Sequence, residues 1–288
     1  MLTVLATGPL TTVQDRGRPG YAGIGVPRSG AADAPAADLA NRLVGNDSAA
    51  AALEVTAGGL RVRAERTVLV AVTGAPAAVT VDGRPAPFGA PVTLRPGSEL
   101  GLGMPPVGLR SYLSVRGGID VPPVLGSRST DTLSGLGPAP LAAGDRLTVG
   151  SMRAEEPFVD VAPVRGPSSA PRLRVLPGPR RDWLDPAAWT ALTTHEWAVT
   201  ADSNRVGLRL AGPRLDRARE DELPSEGLVP GALQVPPDGA PVLFLADHPV
   251  TGGYPVLAVV LAADLPAAAQ LRPGDTLTFR AISSPESA

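Results

Sequence analysis

With 288 residues, 43% of them hydrophobic, the chain is long enough to bury one large β domain or two smaller ones and too apolar to be disordered. A formal net charge of −2 with no basic run gives no reason to expect nucleic acid, and no apolar stretch approaches the roughly 18 residues of a membrane span. Cysteine is absent and all 26 basic residues are Arg, which excludes disulfides, thiolate metal sites, Schiff-base chemistry and a lysine-linked cofactor from this stretch. Gly, Pro, Asp and Arg within the first 20 positions do not fit a secretory signal, so the expected location is the cytoplasm.

Residues 2 to 5 read as a short strand, followed by Gly8 to Gly20, a strand running into a loop with adjacent opposite charges. Asp33 then makes an N-cap and Pro35 suits the first turn of a helix reaching Leu43 or Val44, stopped by Gly45 and carrying Asn41 near its end. From residue 51 to 150 short strands alternate with turns: Leu53 to Thr56, Leu60 to Ala64, Val68 to Thr73, Ala78 to Asp82 and Pro91 to Leu94. Asp82-Gly83 signals a type I′ hairpin. Three segments starting at Arg95, Ala143 and Arg272 share a Gly-containing turn before an alternating strand, and are read as repeated barrel-closing strands. The Pro- and Ser-rich residues 156–171 read as a linker between a domain over 1–155 and another over 172–288.

In the second half, a strand begins at Leu173, and Asp185-Pro186 opens a helix through about Thr194. His195 reads as its C-terminal cap. The richest stretch is 223–255. There Ser225 and Glu226 precede a Gly, and the strand Ala232 to Val235 carries Gln234. Pro236-Pro237-Asp238-Gly239 turns the chain, the strand Pro241 to Ala246 delivers Asp247 and His248, and Gly252-Gly253-Tyr254 closes the segment. Polar groups at the ends of buried strands beside paired glycines are one way to build a pocket, and a plain hairpin with Asp247 as a turn cap is the structural alternative. Two other segments are candidates. Leu125 to Thr130 offers Arg128 and three hydroxyls, an anion cradle or a solvated loop, and Ser203 to Gly207 offers a similar choice with an Asx turn as its structural form. His195 and His248 are far apart without ligand-spaced neighbours, so no metal site is expected.

The segments TTVQDRGRPG, GVPRSGAADAPAADLANRLVGN, AALEVTAGG, GGIDVPPVLGSRST, LPGPRRD, SNRVGLRLAGP, SEGLVPGALQVPPDGAPVLFLADHPVTGGYP and LRPGDTLTF, in this order, resemble the biotin-dependent carboxyltransferase family. That family covers the C subunit of bacterial 5-oxoprolinase, the second half of the urea carboxylase carboxyltransferase domain, and Kip-type antagonists of a kinase inhibitor. The resemblance runs from about residue 3 to 280. It implies a mainly β fold of two cyclophilin-like β-barrel domains with a few short helices. It also implies a related cyclophilin-like partner subunit (the 5-oxoprolinase B type) and a third subunit (the A type). One departure is that His248-Pro249-Val250-Thr251 stands where the family pattern leads one to expect Arg or His followed by Gln-Thr.

Three functions follow from the resemblance. The first is a subunit of an ATP-dependent 5-oxoprolinase, with ATP acting through the complex and no cofactor bound covalently here. It is preferred because the chain reads as a short stand-alone subunit. The second is a component transferring carboxyl from carboxybiotin to urea or another amide, and the third is a regulator without chemistry. For a small amide substrate, a base must meet the N–H and donors must meet the oxygen. Asp247 is expected as base or N–H acceptor, Gln234 as the group orienting the amide and Arg128 as the oxygen or carboxylate partner. Glu226, Ser225, Asn41, Gly252, Gly253, Tyr254 and His248 are expected to bind substrate.

Overall fold

The structure, a computed structural model, describes residues 1–151, 160–164, 166–219 and 221–283. The expected linker over 156–171 lies partly outside these residues, at 156–159 and 165. The chain forms two compact units, one of Met1–Arg18, Ser29–Asp131 and Gly135–Pro167, the other of Pro19–Arg28, Thr132–Ser134 and Ser168–Ala288. Two short loop segments of the first half therefore belong with the second unit.

The fold is mainly β, as expected. In the first unit the strands form a six-stranded and a five-stranded sheet around one apolar core. Strand Leu60–Ala64 shows why: Leu60, Val62 and Ala64 point inward at 0% exposure while Arg61 and Arg63 stay in solvent, the period-2 alternation of a half-buried strand. Asp82 and Gly83 both have positive φ, so the expected hairpin joins Val79–Val81 to Arg84–Ala86. The helix spans Ala34–Leu43, with the Asp33 carboxylate accepting the Ala36 N–H at 3.1 Å and Pro35 in its first turn.

Two of the strands that escaped the sequence reading are Val256–Val260 and Arg110–Val115. Arg110–Val115 is buried along its whole length. Leu113 and Val115 face the sheet core, and Tyr112 packs with Ala37 and Ala40 of the helix. Its polar members are matched: the Ser114 hydroxyl donates to Asn41 Oδ1 at 2.9 Å, the Tyr112 hydroxyl donates to Glu54 at 2.8 Å, and Arg110 lies 3.4 Å from Glu54. Burial holds the Tyr112 hydroxyl well above its ordinary value of 10.0, and the Glu54 charge adds to the rise.

The second unit is a closed barrel whose strands run, in spatial order, Arg172–Pro177, Val256–Val260, Ala232–Gln234, Val242–Phe244, Gly207–Ala211, Glu196–Val199 and Thr276–Ala281. All neighbours are antiparallel except the closing pair, Arg172–Pro177 with Thr276–Ala281, which is parallel. Closure removes the sheet edges and encloses Leu173, Val175, Trp197, Leu233, Leu257 and Phe279. Helix Pro186–Thr194 starts on the Asp185 carboxylate, which accepts the Ala187 N–H at 2.7 Å. It ends at His195, whose Nδ1 lies 3.1 Å from the Ala191 carbonyl oxygen, as expected of a cap. Of the three turn-and-strand segments, only that after Arg272 closes a barrel. Glu99–Leu102 sits inside the six-stranded sheet and Arg146–Leu147 at its edge, because a shared turn fixes how a strand starts and not what it pairs with.

Candidate functional site

Strand Ala232–Gln234 is one residue shorter than read, and the turn after it forms as expected, with the Gly239 N–H donating to the Pro236 carbonyl at 2.9 Å and Gly239 at φ 76. On its other side this strand pairs with Val256–Val260 through a bulge: Leu233 opposes Ala258, but Gln234 opposes Val256. A bulge re-aims the side chain beside it. Gln234, only 5% exposed, turns to donate from Nε2 to the Tyr254 carbonyl oxygen at 2.9 Å. Its Oε1 takes no hydrogen bond among the described residues and remains an acceptor.

A two-stranded ladder brings the remaining pieces alongside. Glu226 opposes Gly252 and Gly227 opposes Thr251. A methyl group on Gly252 would sit 2.6 Å from Gln234 Nε2 and 2.8 Å from Leu228 Cδ1, so the missing side chain here makes room for the glutamine amide. Gly253 is adjacent, and Ser225 and Tyr254 are exposed, Tyr254 by 44%. Arg180 grips Glu226 with Nε 2.9 Å from both carboxylate oxygens. That hydrogen-bonded guanidinium lowers the Glu226 carboxyl below its ordinary range, and the same bond raises Arg180. A cleft of about 1030 Å³ opens here, lined among others by Arg214, Arg217, Leu223, Pro237, Gly253 and Tyr254. The Arg217 guanidinium lies 5.6 Å from the Tyr254 ring centre, a cation–π distance, and its buried Nε has no hydrogen-bond partner among the described residues.

Asp247 and His248 are buried. Asp247 is at 0% exposure and Arg205 at 2%. Arg205 clamps it bidentately, Nε to Oδ2 at 2.8 Å and Nη2 to Oδ1 at 2.9 Å, while Thr132 adds its N–H at 3.0 Å and its hydroxyl at 2.7 Å to Oδ2. The segment before Arg205 forms the Asx turn that was one of its two readings, with the Val206 N–H donating to Asn204 Oδ1 at 2.8 Å. His248 is 5% exposed with Nδ1 2.8 Å from the Pro249 carbonyl oxygen.

Ser225, Glu226, Gln234, Gly252, Gly253 and Tyr254 are thus brought to one place, while Asp247 and His248, at the start of the loop leading to Gly252, are buried. Arg128 and Asn41 belong to the first unit. The Arg128 Nε donates to the Val121 carbonyl at 2.8 Å and its Nη2 pairs with Asp120 at 3.1 Å. Asn41, 1% exposed, donates its amide to the Ala50 carbonyl at 2.8 Å and accepts from Ser114 and Asn46. Sequence reasoning did not single out Arg180 or Arg217, and reached Arg205 only within the candidate segment Ser203 to Gly207. Nothing local marks one Arg among the chain's basic residues as buried or stacked, and only distant partners do so.

Among the described residues no group of three or more His, Asp or Glu is arranged to hold a metal, and no helix is long and apolar enough to cross a membrane. The carboxyltransferase domain model, subdomains A and B, matches residues 24–281. The 5-oxoprolinase C subunit of Escherichia coli (strain K12) is 41% identical over 282 residues, 97% of this chain and 90% of that protein. The 5-oxoprolinase C subunit of Haemophilus influenzae is 32% identical over 291 residues, 100% of this chain and 93% of that protein. Among solved structures, the K. lactis urea amidolyase matches with a TM-score of 0.90 at 34% identity, over 98% of this chain but 19% of that much longer one.

Proposed function

Because this chain belongs to the family of carboxyltransferase domains, subdomains A and B, we propose that it is the C-type subunit of an ATP-dependent 5-oxoprolinase, opening 5-oxo-L-proline to L-glutamate with partner subunits. One observation carries this reading: the Escherichia coli 5-oxoprolinase C subunit is 41% identical over 97% of this chain and 90% of its own length. ATP chemistry then belongs to the assembled complex of this chain with a related B-type subunit and an A-type subunit.

The residues gathered at the mouth of the barrel suit an amide. Gln234 Oε1, an acceptor with no partner among the described residues, meets the lactam N–H, and the Gly253 backbone N–H donates to the carbonyl oxygen. Tyr254 and Arg217 line the cleft beside Gly253, and Glu226, held by Arg180, stands opposite Gly252 in the neighbouring ladder. Asp247 enters this account through its pair with Arg205: with both oxygens bonded inward, it fixes the loop that carries His248 to Tyr254, and a base role would require that pair to open. Arg128 and Asn41 hold the fold of the first unit in this account.

The test is glutamate release from 5-oxo-L-proline, with and without ATP, by this chain co-expressed with its genomic neighbours. ATP-dependent release that vanishes when this chain is omitted supports the proposal. A complex that assembles and releases none refutes it. A second reading, carboxyl transfer from carboxybiotin to urea or another amide, draws on the likeness to the urea amidolyase structure. The chain has no lysine, so in that case the biotin would ride on another polypeptide. Urea-dependent consumption of carboxybiotin by the same complex would favour it.

A further inference from the structure

The first unit buries a second arginine on quite different terms. Arg18 is 1% exposed, and its bonds go only to carbonyl oxygens: Nη2 to Ser129 and a long 3.4 Å contact from Nε to Val124. Nη1 is buried with no partner, and no carboxylate pairs with this guanidinium among the described residues. The nearest acid in sequence, Asp15, is committed elsewhere. Its Oδ1 accepts from the Ser127 and Ser129 hydroxyls at 2.6 Å each and from the Gly17 N–H at 2.8 Å, and its Oδ2 accepts the Arg128 N–H at 2.6 Å.

Two more orphaned atoms lie around the same Ser129-Thr130 segment. Gln14, 1% exposed, donates Nε2 to the Thr130 carbonyl at 2.8 Å, and its buried Oε1 has no donor among the described residues. The hydroxyl of Thr130, a residue 3% exposed, is likewise buried without a partner among them. Buried polar groups are nearly always satisfied, and a buried charge without a counter-charge is costly. A cation, a hydroxyl and an amide oxygen left open around one segment are a donor and acceptor set that suits an anion with an N–H beside it.

The cover over this cluster is thin. Val124 to Ser127 form a tight turn with N–H to carbonyl bonds of 2.8 and 3.2 Å between its ends, and its tip, Leu125 and Gly126, is exposed. Leu125 sits at φ 51, a left-handed region that a branched apolar residue rarely occupies and that strains the backbone. Asp15 holds the following residues, 127 to 129, firmly, so the strained tip is the part able to swing aside.

We propose that Arg18, Gln14 and Thr130 form a second binding site, within the first unit and separate from the residues around Gln234, for a small carboxylate with a hydrogen-bond donor beside it, the carboxylate on Arg18 Nη1 and the Thr130 hydroxyl, the donor on Gln14 Oε1. The inference does not rest on the function proposed above, and 5-oxo-L-proline serves here as a probe because it carries a carboxylate next to an N–H. Calorimetric titration of the co-expressed complex with 5-oxo-L-proline, 2-pyrrolidone and acetate tests it. Removing a charge-assisted hydrogen bond should weaken the two carboxylates about tenfold or more in Arg18→Met, and leave 2-pyrrolidone, which has no carboxylate, unchanged. Gln14→Leu should weaken 5-oxo-L-proline and spare acetate, and it carries the test if Arg18→Met does not fold. Carboxylate binding by Arg18→Met at wild-type strength overturns the site while leaving glutamate release, and so the proposed reaction, intact. Failure of the wild-type complex to bind either carboxylate also overturns it, and assigns the cluster to buried water. Loss of carboxylate binding in Arg18→Met from a complex that releases no glutamate keeps the site and discards the reaction.

Discussion

Arg205 and Arg18 are buried to the same degree, 2% and 1% exposed, yet among the described residues one meets a carboxylate at two points and the other meets none. Around Arg205 the charge is closed: Asp247 answers the guanidinium, and Thr132 fills the remaining acceptor sites. Around Arg18 the hydrogen bonds stop at carbonyl oxygens, and Nη1 has no partner among the described residues. A closed pair adds rigidity where a loop must stay in place. An open one is a cost to the folded chain that a bound anion would offset.

Breaking the closed pair should have the largest effect. Arg205→Met strands a buried Asp247 charge, and urea unfolding should show a loss of about 3–5 kcal/mol. Asp247→Asn strands the guanidinium in turn. From the sequence alone that variant is expected to keep its fold and lose turnover. The buried pair predicts lost stability as well, and retention of full stability would show that Arg205 finds another partner. Next comes Gly252→Ala, whose methyl would press on Gln234 and Leu228 at 2.6 and 2.8 Å. A cost of about 1–3 kcal/mol is expected, together with a shift of the Gln234 amide visible as altered substrate KM. Smaller still, Asp185→Ala should cost about 1 kcal/mol by removing the cap of helix Pro186–Thr194, measured by thermal melting.

The smallest effect is in pH. Burial alone would raise the Asp264 carboxyl, but the side-chain and backbone hydrogen bonds from Arg174 bring it below its ordinary value of 3.8. A carboxyl lowered by folding favours the native state above its unfolded value and loses that contribution as pH falls through the lowered one. Wild-type protein should therefore lose stability relative to Asp264→Asn below about pH 4, and parallel melting profiles from pH 6 to pH 2 would contradict this assignment.

Much of the fold was legible where local pattern and tertiary environment agree. Leu60–Ala64 alternates because one face is wet, and Asp82-Gly83 turns because both residues tolerate positive φ. Arg110–Val115 was not legible, because a strand buried on both faces has no alternation, and its Arg, Ser and Tyr are satisfied by Glu54 and the helix rather than by water. The cluster of Gln234, Gly252, Gly253 and Tyr254 could be read because one ladder and one bulge fold a continuous stretch back on itself. Arg205 and Arg18 could not, since their partners lie 42 and 111 positions away. The sequence left the 125–130 loop as an anion cradle or a solvated loop, and Arg128, paired with the exposed Asp120, takes the second form. The guanidinium that meets this loop without a carboxylate among the described residues is that of Arg18.

The measurement that tests this contrast most directly is urea unfolding of Arg18→Met and Arg205→Met beside the wild-type chain, without ligand. Arg205→Met is expected to lose about 3–5 kcal/mol, while Arg18→Met, which trades an uncompensated buried charge for an apolar chain of similar length, is expected to be neutral or more stable. Equal losses in both variants would contradict the contrast, and would make Arg18 as much a part of the fixed framework as Arg205.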